Sequence, residues 1–448
     1  MLTPQDAQER AHDIVTRARN AGADAADAVL AASASIDVSV RLGALEDVGR
    51  SEEEELGLRV FVGQRSASVS TSDLSSAAMD TLVERAVAMA REAPEDQWAG
   101  LAPEDRLRKG ALPDLNLHDA EDPSPAALKA MGLAAEDAAR AVPGVTNSEG
   151  GGASAARVTW ALATSHGFAG AYATTNHSVS ASVLAGTGGG MQRDYGHRSA
   201  RHRAHLPSPA DIGREAGERA VARLNPGKVA SGPMPVLFDP RVGASLVGHL
   251  VGAIAGASIA RGTSFLLGRL GEQVFAEGIT IVDDPLRLQG LRSRPFDGEG
   301  LAAERRTIID RGVLTTWLLD SASARQLALQ PTGHAARGGA GAPGVSNSNT
   351  WIEPGSESRE ALIGGVRNGV YVTELIGQGV NGVTGDYSRG AAGFLIEDGK
   401  LTTPVDEFTI AGNLKDMFLN LTAANDLEFR YATNVPTLRV DGMTVAGG

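Results

Sequence analysis

Residues 242–260 read VGASLVGHLVGAIAGASIA, 19 residues without a formal charge between Arg241 and Arg261. Whether this run crosses a bilayer or lies inside a water-soluble core decides the fold class. Its length passes the roughly 18-residue threshold for a span. Ala244, Gly248, Gly252, Gly256 and Ala260 recur every four residues, the small-xxx-small spacing that lets membrane helices approach closely. Ser245, His249 and Ser258 interrupt it, however, and only seven of the 19 residues are Val, Leu or Ile. A lipid-facing helix needs more bulky hydrocarbon than that. The run therefore reads as a buried helix with one flat face, and no membrane association is expected.

The rest of the chain supports that reading. With 448 residues, 42% hydrophobic and 21% charged, it has the composition of a globular protein of two or three domains. The 41 basic and 54 acidic side chains leave a net charge of −13, which argues against direct nucleic-acid binding. There is no cysteine, hence no disulfide framework and no Cys-ligated metal, and a reducing compartment fits best. Met1 to Arg10 carries Pro4, Asp6, Glu9 and Arg10 where a secretory signal needs an apolar run, so export is not expected.

Periodicity predicts an α+β protein. Ala7, Ala11, Ile14, Val15 and Ala18 have helical spacing, Ile36, Val38 and Val40 alternate as a strand does, and so do Leu58, Val60 and Val62. Helices are expected over 81–90, 125–141 and 211–224, with a Pro-, Asp- and Glu-rich connection at 98–122 and successive antiparallel strands over 157–200. Asn225-Pro226-Gly227 is a strong stop. The expected organisation is an N-terminal α/β-layered domain, 1–225, with a subdivision near 98–122, and a β-rich C-terminal domain of mainly antiparallel sheet, 226–448. Within the latter, 236–238, 280–282, 307–319 and 370–376 read as strand, and Asp398-Gly399 and Asp441-Gly442 as hairpin turns.

Chemical motifs are sparse. Gly377-Gln378-Gly379-Val380-Asn381-Gly382 matches G-x-G-x-x-G after a predicted strand, with Glu397 beyond it, but 383–393 holds three further glycines and no helical period. A dinucleotide site needs a helix there to receive the pyrophosphate, so the segment reads as a glycine-rich turn or bulge. His197, His202 and His205 lie among Arg193, Arg198, Arg201 and Arg203, whose charges disfavour a cation and suggest a solvated basic face or a phosphate contact. No H-E-x-x-H, G-x-S-x-G or Walker A pattern occurs. Glu149, Asp194, Glu374 and Asp386 are carboxylates for which ordinary solvated or hydrogen-bonded roles are expected.

Longer strings carry a resemblance. MQRDY at 191–195, GHLVGAI at 248–254, ERR at 304–306, TGHA at 332–335, GQGVNGVTGDYSRGAAGF at 377–394 and TIAGNLKDM at 409–417 closely resemble the TldD/PmbA family, and within it the PmbA (TldE) branch. The resemblance implies a cytoplasmic heterodimeric zinc protease whose TldD-like subunit carries an H-E-x-x-x-H helix and a cysteine ligand. Aligned on Arg261-Gly262-Thr263-Ser264, the motif positions fall on Val247, Gly248 and Gly252, none of which has a donor atom. His249 is two positions out of register with the first motif histidine. The resemblance thus implies a subunit with no metal ligands and no catalytic residues of its own, zinc being held by the partner.

Three functions follow for testing. The first is a non-catalytic subunit that helps enclose a cavity for leader peptides or unfolded polypeptide, gripped in part by exposed strand edges. The second is a self-sufficient peptidase with an unrecognised site. The third is a protein-docking module like a modulator of DNA gyrase. His249, Gly377, Gln378, Gly379, Asp386, Tyr387 and Arg389 are the candidate cavity or interface residues.

Overall fold

In the computed structural model, which describes residues 2–447, Thr3 caps helix α1 (Pro4–Asn20) through a reciprocal pair of hydrogen bonds with Asp6. The buried face of α1 is Ala7, Ala11, Ile14, Val15 and Ala18, as the spacing predicts. The following strands are long: β1 (Ala25–Arg41), β2 (Ala44–Val62) and β3 (Arg65–Thr71). Leu42 and Gly43, both at positive φ, make the tight turn between β1 and β2. Helices α2 (Ser76–Glu92) and α3 (Pro125–Arg140) come next, then β4 (Val145–Thr164), β5 (Ala169–Ala185), β6 (Gln192–Ala200) and α4 (Pro209–Ala222). The strands form one antiparallel sheet in the order β3-β2-β1-β4-β5-β6.

All four of these helices cover the same face of the sheet. Helices α1 and α2 pack on Ala28, Leu30, Leu58 and Ala161, and α3 and α4 on Val38, Ala153, Val179 and Val183. The alternate residues, Val29, Trp160, Leu162 and Tyr172, point to the opposite face and meet Phe296 and Leu301 of the second half. Residues 98–122 run as irregular chain with one short 3-10 turn, and Arg325 ties this connection down by donating to the carbonyls of Trp98, Gly100 and Leu101.

The second half is built on a ring. Strand β7 (Gly232–Phe238) lies between a parallel neighbour, Asn368–Ile376, and an antiparallel one, Leu438–Ala446. Asn368–Ile376 pairs with Asp386–Glu397, which pairs with Lys400–Asn413 across the Asp398-Gly399 turn. Lys400–Asn413 closes the ring by pairing Ile410 with Val445 of Leu438–Ala446. Val236, Phe238, Val372, Phe408, Ile410 and Val440 belong to the core at this barrel, capped by the buried face of α5 (Pro240–Ile254). A smaller five-stranded sheet centred on Ile281–Asp283 lies alongside. The protein is α+β with predominantly antiparallel sheet.

Several expectations are corrected. Asp441-Gly442 is not a hairpin turn: it lies inside one continuous strand, where the register against β7 slips between Val440 and Met443 and Gly442 has φ +81°. A glycine at positive φ inside a ladder makes a bulge, which the dipeptide alone does not distinguish from a turn. The predicted strand 307–319 is two short strands, Arg306–Asp310 and Val313–Leu314, and then irregular chain. The small-residue helix is broken. Its first part ends at Ile254, Ala255 is extended and bridges Leu318, and a short helix α6 (Gly256–Ala260) follows. Among the described residues no helix is long and apolar enough to cross a membrane.

One buried pair makes stability depend on pH. Glu299 accepts hydrogen bonds from the Ser321 backbone (2.9 Å) and hydroxyl (2.7 Å), two residues from buried Asp297. Burial, reinforced by the negative charge of Asp297, pushes the Glu299 carboxyl up from 4.5 to about 7. The folded state therefore binds this proton more tightly than the unfolded chain does. The stabilisation is complete below 4.5 and is lost as the pH rises through 7, a change of about 3 kcal/mol. Glu299→Gln keeps an acceptor for Ser321 and cannot ionise. It should match the parent at pH 4.5 and melt higher at pH 8, as checked by denaturation at both pH values; an offset independent of pH would refute the assignment.

Candidate active-site face

Helix α5 turns two different sides to its surroundings. Leu246, Val247, Leu250, Ala253 and Ile254 enter the core, with Val247 2% exposed. Ser245, Gly248, His249 and Gly252 lie on the other side at helical spacing. Gly248 and Gly252 are exposed, and a Cβ built on either would meet no atom within 4 Å. The small-residue face expected to be buried is thus open at Gly248 and Gly252, whereas Gly256, beyond the break at Ala255, is buried so closely that a Cβ would fall 2.2 Å from the Ser323 hydroxyl. Val247 does not share that face with Gly248 and Gly252.

Opposite His249 stands the barrel strand Asp386–Glu397. Alternation along it turns Tyr387 and Arg389 inward, while Asp386 and Ser388 are exposed. The His249 and Tyr387 rings meet edge to face, with centroids 5.9 Å apart. Burial, followed by the neighbouring charge of Arg389, lowers the His249 pKa, so the imidazole is neutral at pH 7. Burial pushes the Tyr387 hydroxyl up despite Arg389, so it remains a donor. His249 Nε2 and Tyr387 Oη are buried without a hydrogen-bond partner among the described residues.

The glycine segment forms a loop, 377–385, folded back on this strand. Gly377 has φ +79°, and Gly379 lies so close to the strand that a Cβ would fall 2.1 Å from the Ser388 carbonyl oxygen. Ser388 donates its amide to Gly379 at 2.7 Å, and Phe265 donates to Gly382 at 2.9 Å. No helix follows, so the phosphate-binding geometry is absent here. Gln378 is exposed on the loop. Asp386 does not enter the cavity: it faces outward and accepts from Thr384 (2.7 Å) and Asn413 (3.1 Å).

A pocket of about 300 Å³ opens beside this group, lined by Ser245, Arg389, Arg241, Arg223, Arg193, Asp194 and Glu374 among others. Asp194 holds Arg241 at 2.8 Å, Glu374 holds Arg223 at 2.5 Å, and Glu149 holds Arg193 at 2.6 Å. Three of the four carboxylates flagged in the sequence, Glu149, Asp194 and Glu374, are therefore charge partners, and the fourth, Asp386, is hydrogen-bonded without an ion pair among the described residues. The His- and Arg-rich segment is likewise not a solvated basic face. Arg198 pairs with Glu215 at 2.6 Å, Arg203 pairs with Glu121, and Arg201 donates to the carbonyls of Gly290 and Leu291 across the two halves. Sequence reading placed His249, Tyr387 and Arg389 in one candidate group but did not include Ser245 or match the arginines to their carboxylates, which no local spacing announces. Among the described residues no three His, Asp or Glu side chains converge as metal ligands would.

Family models match nearly the whole of the chain: PmbA/TldA metallopeptidase domain 1 over residues 26–90, the central domain over 118–224 and the C-terminal domain over 231–447. Metalloprotease PmbA of Escherichia coli O157:H7 is 40% identical over 427 residues, 95% of this chain and 92% of that protein. The chain belongs to the PmbA/TldD metallopeptidase family. Within it, similarity lies with the PmbA/TldE branch: a Metalloprotease PmbA homolog of Haemophilus influenzae is 36% identical, covering 99% of this chain and 96% of its own length. Among solved structures, a candidate modulator of DNA gyrase from Bacteroides thetaiotaomicron superposes with a TM-score of 0.92 at 29% identity over the full length of both chains. TldE from Thermococcus kodakarensis shares the fold, with a TM-score of 0.85 at 22% identity over 97% of this chain and 99% of that one.

Proposed function

We propose that this PmbA/TldD family member is the non-catalytic subunit of a TldD/TldE-type zinc peptidase, working in the cytoplasm with a TldD-like partner that holds the metal. The pair would cleave leader peptides or unfolded polypeptide. The observation that carries this reading is the composition and packing of α5. At the positions aligned with the zinc motif, Val247 is committed to the core, and Gly248 and Gly252 offer only hydrogen on an open face. Zinc takes imidazole, thiolate or carboxylate donors, and a hydrolytic site needs about three of them plus a water. His249 alone, next to the Arg389 guanidinium, does not supply that set, and a cysteine ligand is excluded by composition. A zinc site of the family's kind therefore does not fit this chain.

Zinc held by the partner would polarise the attacking water. What this chain contributes is shape: the bare face of α5 and the loop 377–385 give another chain room to approach, and they would wall the cavity in which peptide is held.

Purified alone, the chain should contain no stoichiometric zinc and leave an unfolded peptide intact. Adding a TldD-like partner should yield a larger species on sizing and chelator-sensitive cleavage. Chelator-sensitive cleavage by the isolated chain would overturn the proposal.

A further inference from the structure

A pocket of about 300 Å³ also opens where the two halves of the chain meet. Trp160 of β4 and Tyr172 of β5 stand directly opposite each other on the sheet face that carries no helix, and both line it, as does Arg201 just past the end of β6. Arg292, Arg294 and Asn347 come to it from the second half. Three arginines therefore line one pocket, and no aspartate or glutamate does. Their hydrogen bonds go to neutral groups. Arg201 donates to the carbonyls of Thr175 (3.0 Å), Gly290 (3.2 Å) and Leu291, Arg294 to those of Ala335 (3.3 Å) and Ser346 (3.2 Å), and Arg292 to the Asn347 amide oxygen (3.2 Å). Arg294 Nε is buried with no partner. Among the described residues none of the three is ion-paired, whereas Arg198 and Arg203, on either side of Arg201, each hold a glutamate.

A carbonyl satisfies the N–H groups of a guanidinium but leaves its charge, which arginine cannot shed. The charges of Arg294 and Arg201 both reach the Tyr172 hydroxyl, so two guanidinium groups flank one ring. Burial nonetheless raises the Tyr172 pKa, and the hydroxyl remains a donor. Arg294 also acts on Asp297, but that carboxyl is 1% exposed, is itself pushed up by burial, and is occupied by the amides of Glu299 (2.9 Å), Leu301 (2.9 Å) and Ala335 (3.2 Å). Three positive charges gathered from two halves of an acidic chain repel one another unless an anion joins them. A carboxylate brings one charge and two oxygens in a plane. A phosphate brings about two charges and acceptor oxygens directed to several sides, which suits forks converging from different segments. We propose that this seam pocket binds a phosphate dianion, free or as a small monoester, through Arg201, Arg292 and Arg294, with the Tyr172 hydroxyl as a further donor. Trp160 and Tyr172 give a flat wall for an esterified group, and Arg292 is exposed, so the site is open on its side. The site is independent of the peptidase reading.

The test uses the full-length chain at fixed ionic strength and a pH well above the second phosphate pKa of about 6, and titrates inorganic phosphate, AMP, adenosine and acetate. Tryptophan fluorescence follows Trp160, and the melting temperature follows binding to the folded state alone. Phosphate and AMP should each saturate and raise the melting temperature; adenosine and acetate should do neither. Tighter binding of AMP than of inorganic phosphate would identify an ester as the natural ligand, and equal binding the free anion. Arg292→Gln should weaken phosphate about tenfold or more, the worth of a charge-assisted hydrogen bond, and Arg292→Glu, which brings its own anion, should abolish binding. Because Arg292 is exposed and its side chain bonds only Asn347, neither variant should melt below the parent without ligand, and Arg292→Glu should melt higher as the repulsion is relieved. Acetate matching phosphate, adenosine matching AMP, phosphate affinity unchanged in both Arg292 variants, or a glutamate variant less stable than the parent would each overturn the site.

Discussion

Asp27→Ala should cost the fold about 3–5 kcal/mol, since it strips the counter-ion from two buried guanidinium groups at once. Asp27 on β1 and Arg59 on β2 are directly opposed across the ladder, and Asp27 is 2% exposed. Arg59 Nε reaches Asp27 Oδ2 at 3.1 Å, and Arg337, arriving from the second half, pairs with Oδ1. Burial opposes the Asp27 charge, but the two arginines outweigh it and hold the carboxyl below its ordinary value. In the alanine variant Arg59 and Arg337 face each other with no directly paired carboxylate among the described residues, leaving only more distant charges such as that of Glu299 to offset them. A fall in denaturant midpoint with unchanged slope would register the loss, and Asp27→Asn, which keeps the shape but not the charge, should recover little of it. A change below about 1 kcal/mol in the alanine variant would mean that water or another carboxylate replaces Asp27.

Phe296→Ala should be comparably damaging, about 3–5 kcal/mol, through a cavity instead of a charge. Phe296 is fully buried among Phe168, Tyr172 and Trp160, with ring centroids at 4.8, 5.5 and 5.6 Å. Its neighbours belong to the long sheet and it belongs to the other half, so the void would open at the seam between them. Calorimetry should show the melting transition lowered and broadened, with Phe296→Leu intermediate because it refills part of the space. A transition of unaltered position would show that this seam does not hold the halves together.

Local patterns were enough for much of this architecture. The five residues that bury α1 are those its spacing picks out, and the alternation at Ile36–Val40 and Leu58–Val62 marks β1 and β2. Where long-range contacts decide, the sequence was silent. The break at Ala255 exists because Leu318 pairs there, and the Asp441-Gly442 bulge exists because β7 runs straight past it. Local spacing likewise could not reveal that Arg198 and Arg203 would be neutralised by Glu215 and Glu121 from other segments. The group at the candidate site combines both cases. Tyr387 and Arg389 share a face by strand alternation, which is legible, but their meeting with His249 depends on how α5 caps the barrel.

The ring of strands also constrains the order of events during translation. Its closing member, Leu438–Ala446, is joined on one side to β7, made some two hundred residues earlier, and on the other to Lys400–Asn413. The long first sheet has all its strands once Ala200 has left the ribosome, and domains made early fold early. The barrel, with the residues facing α5 in its wall, must wait with β7 unpaired on that flank until residue 446 emerges. The half of the molecule bearing the candidate site is therefore the last to be completed on the nascent chain.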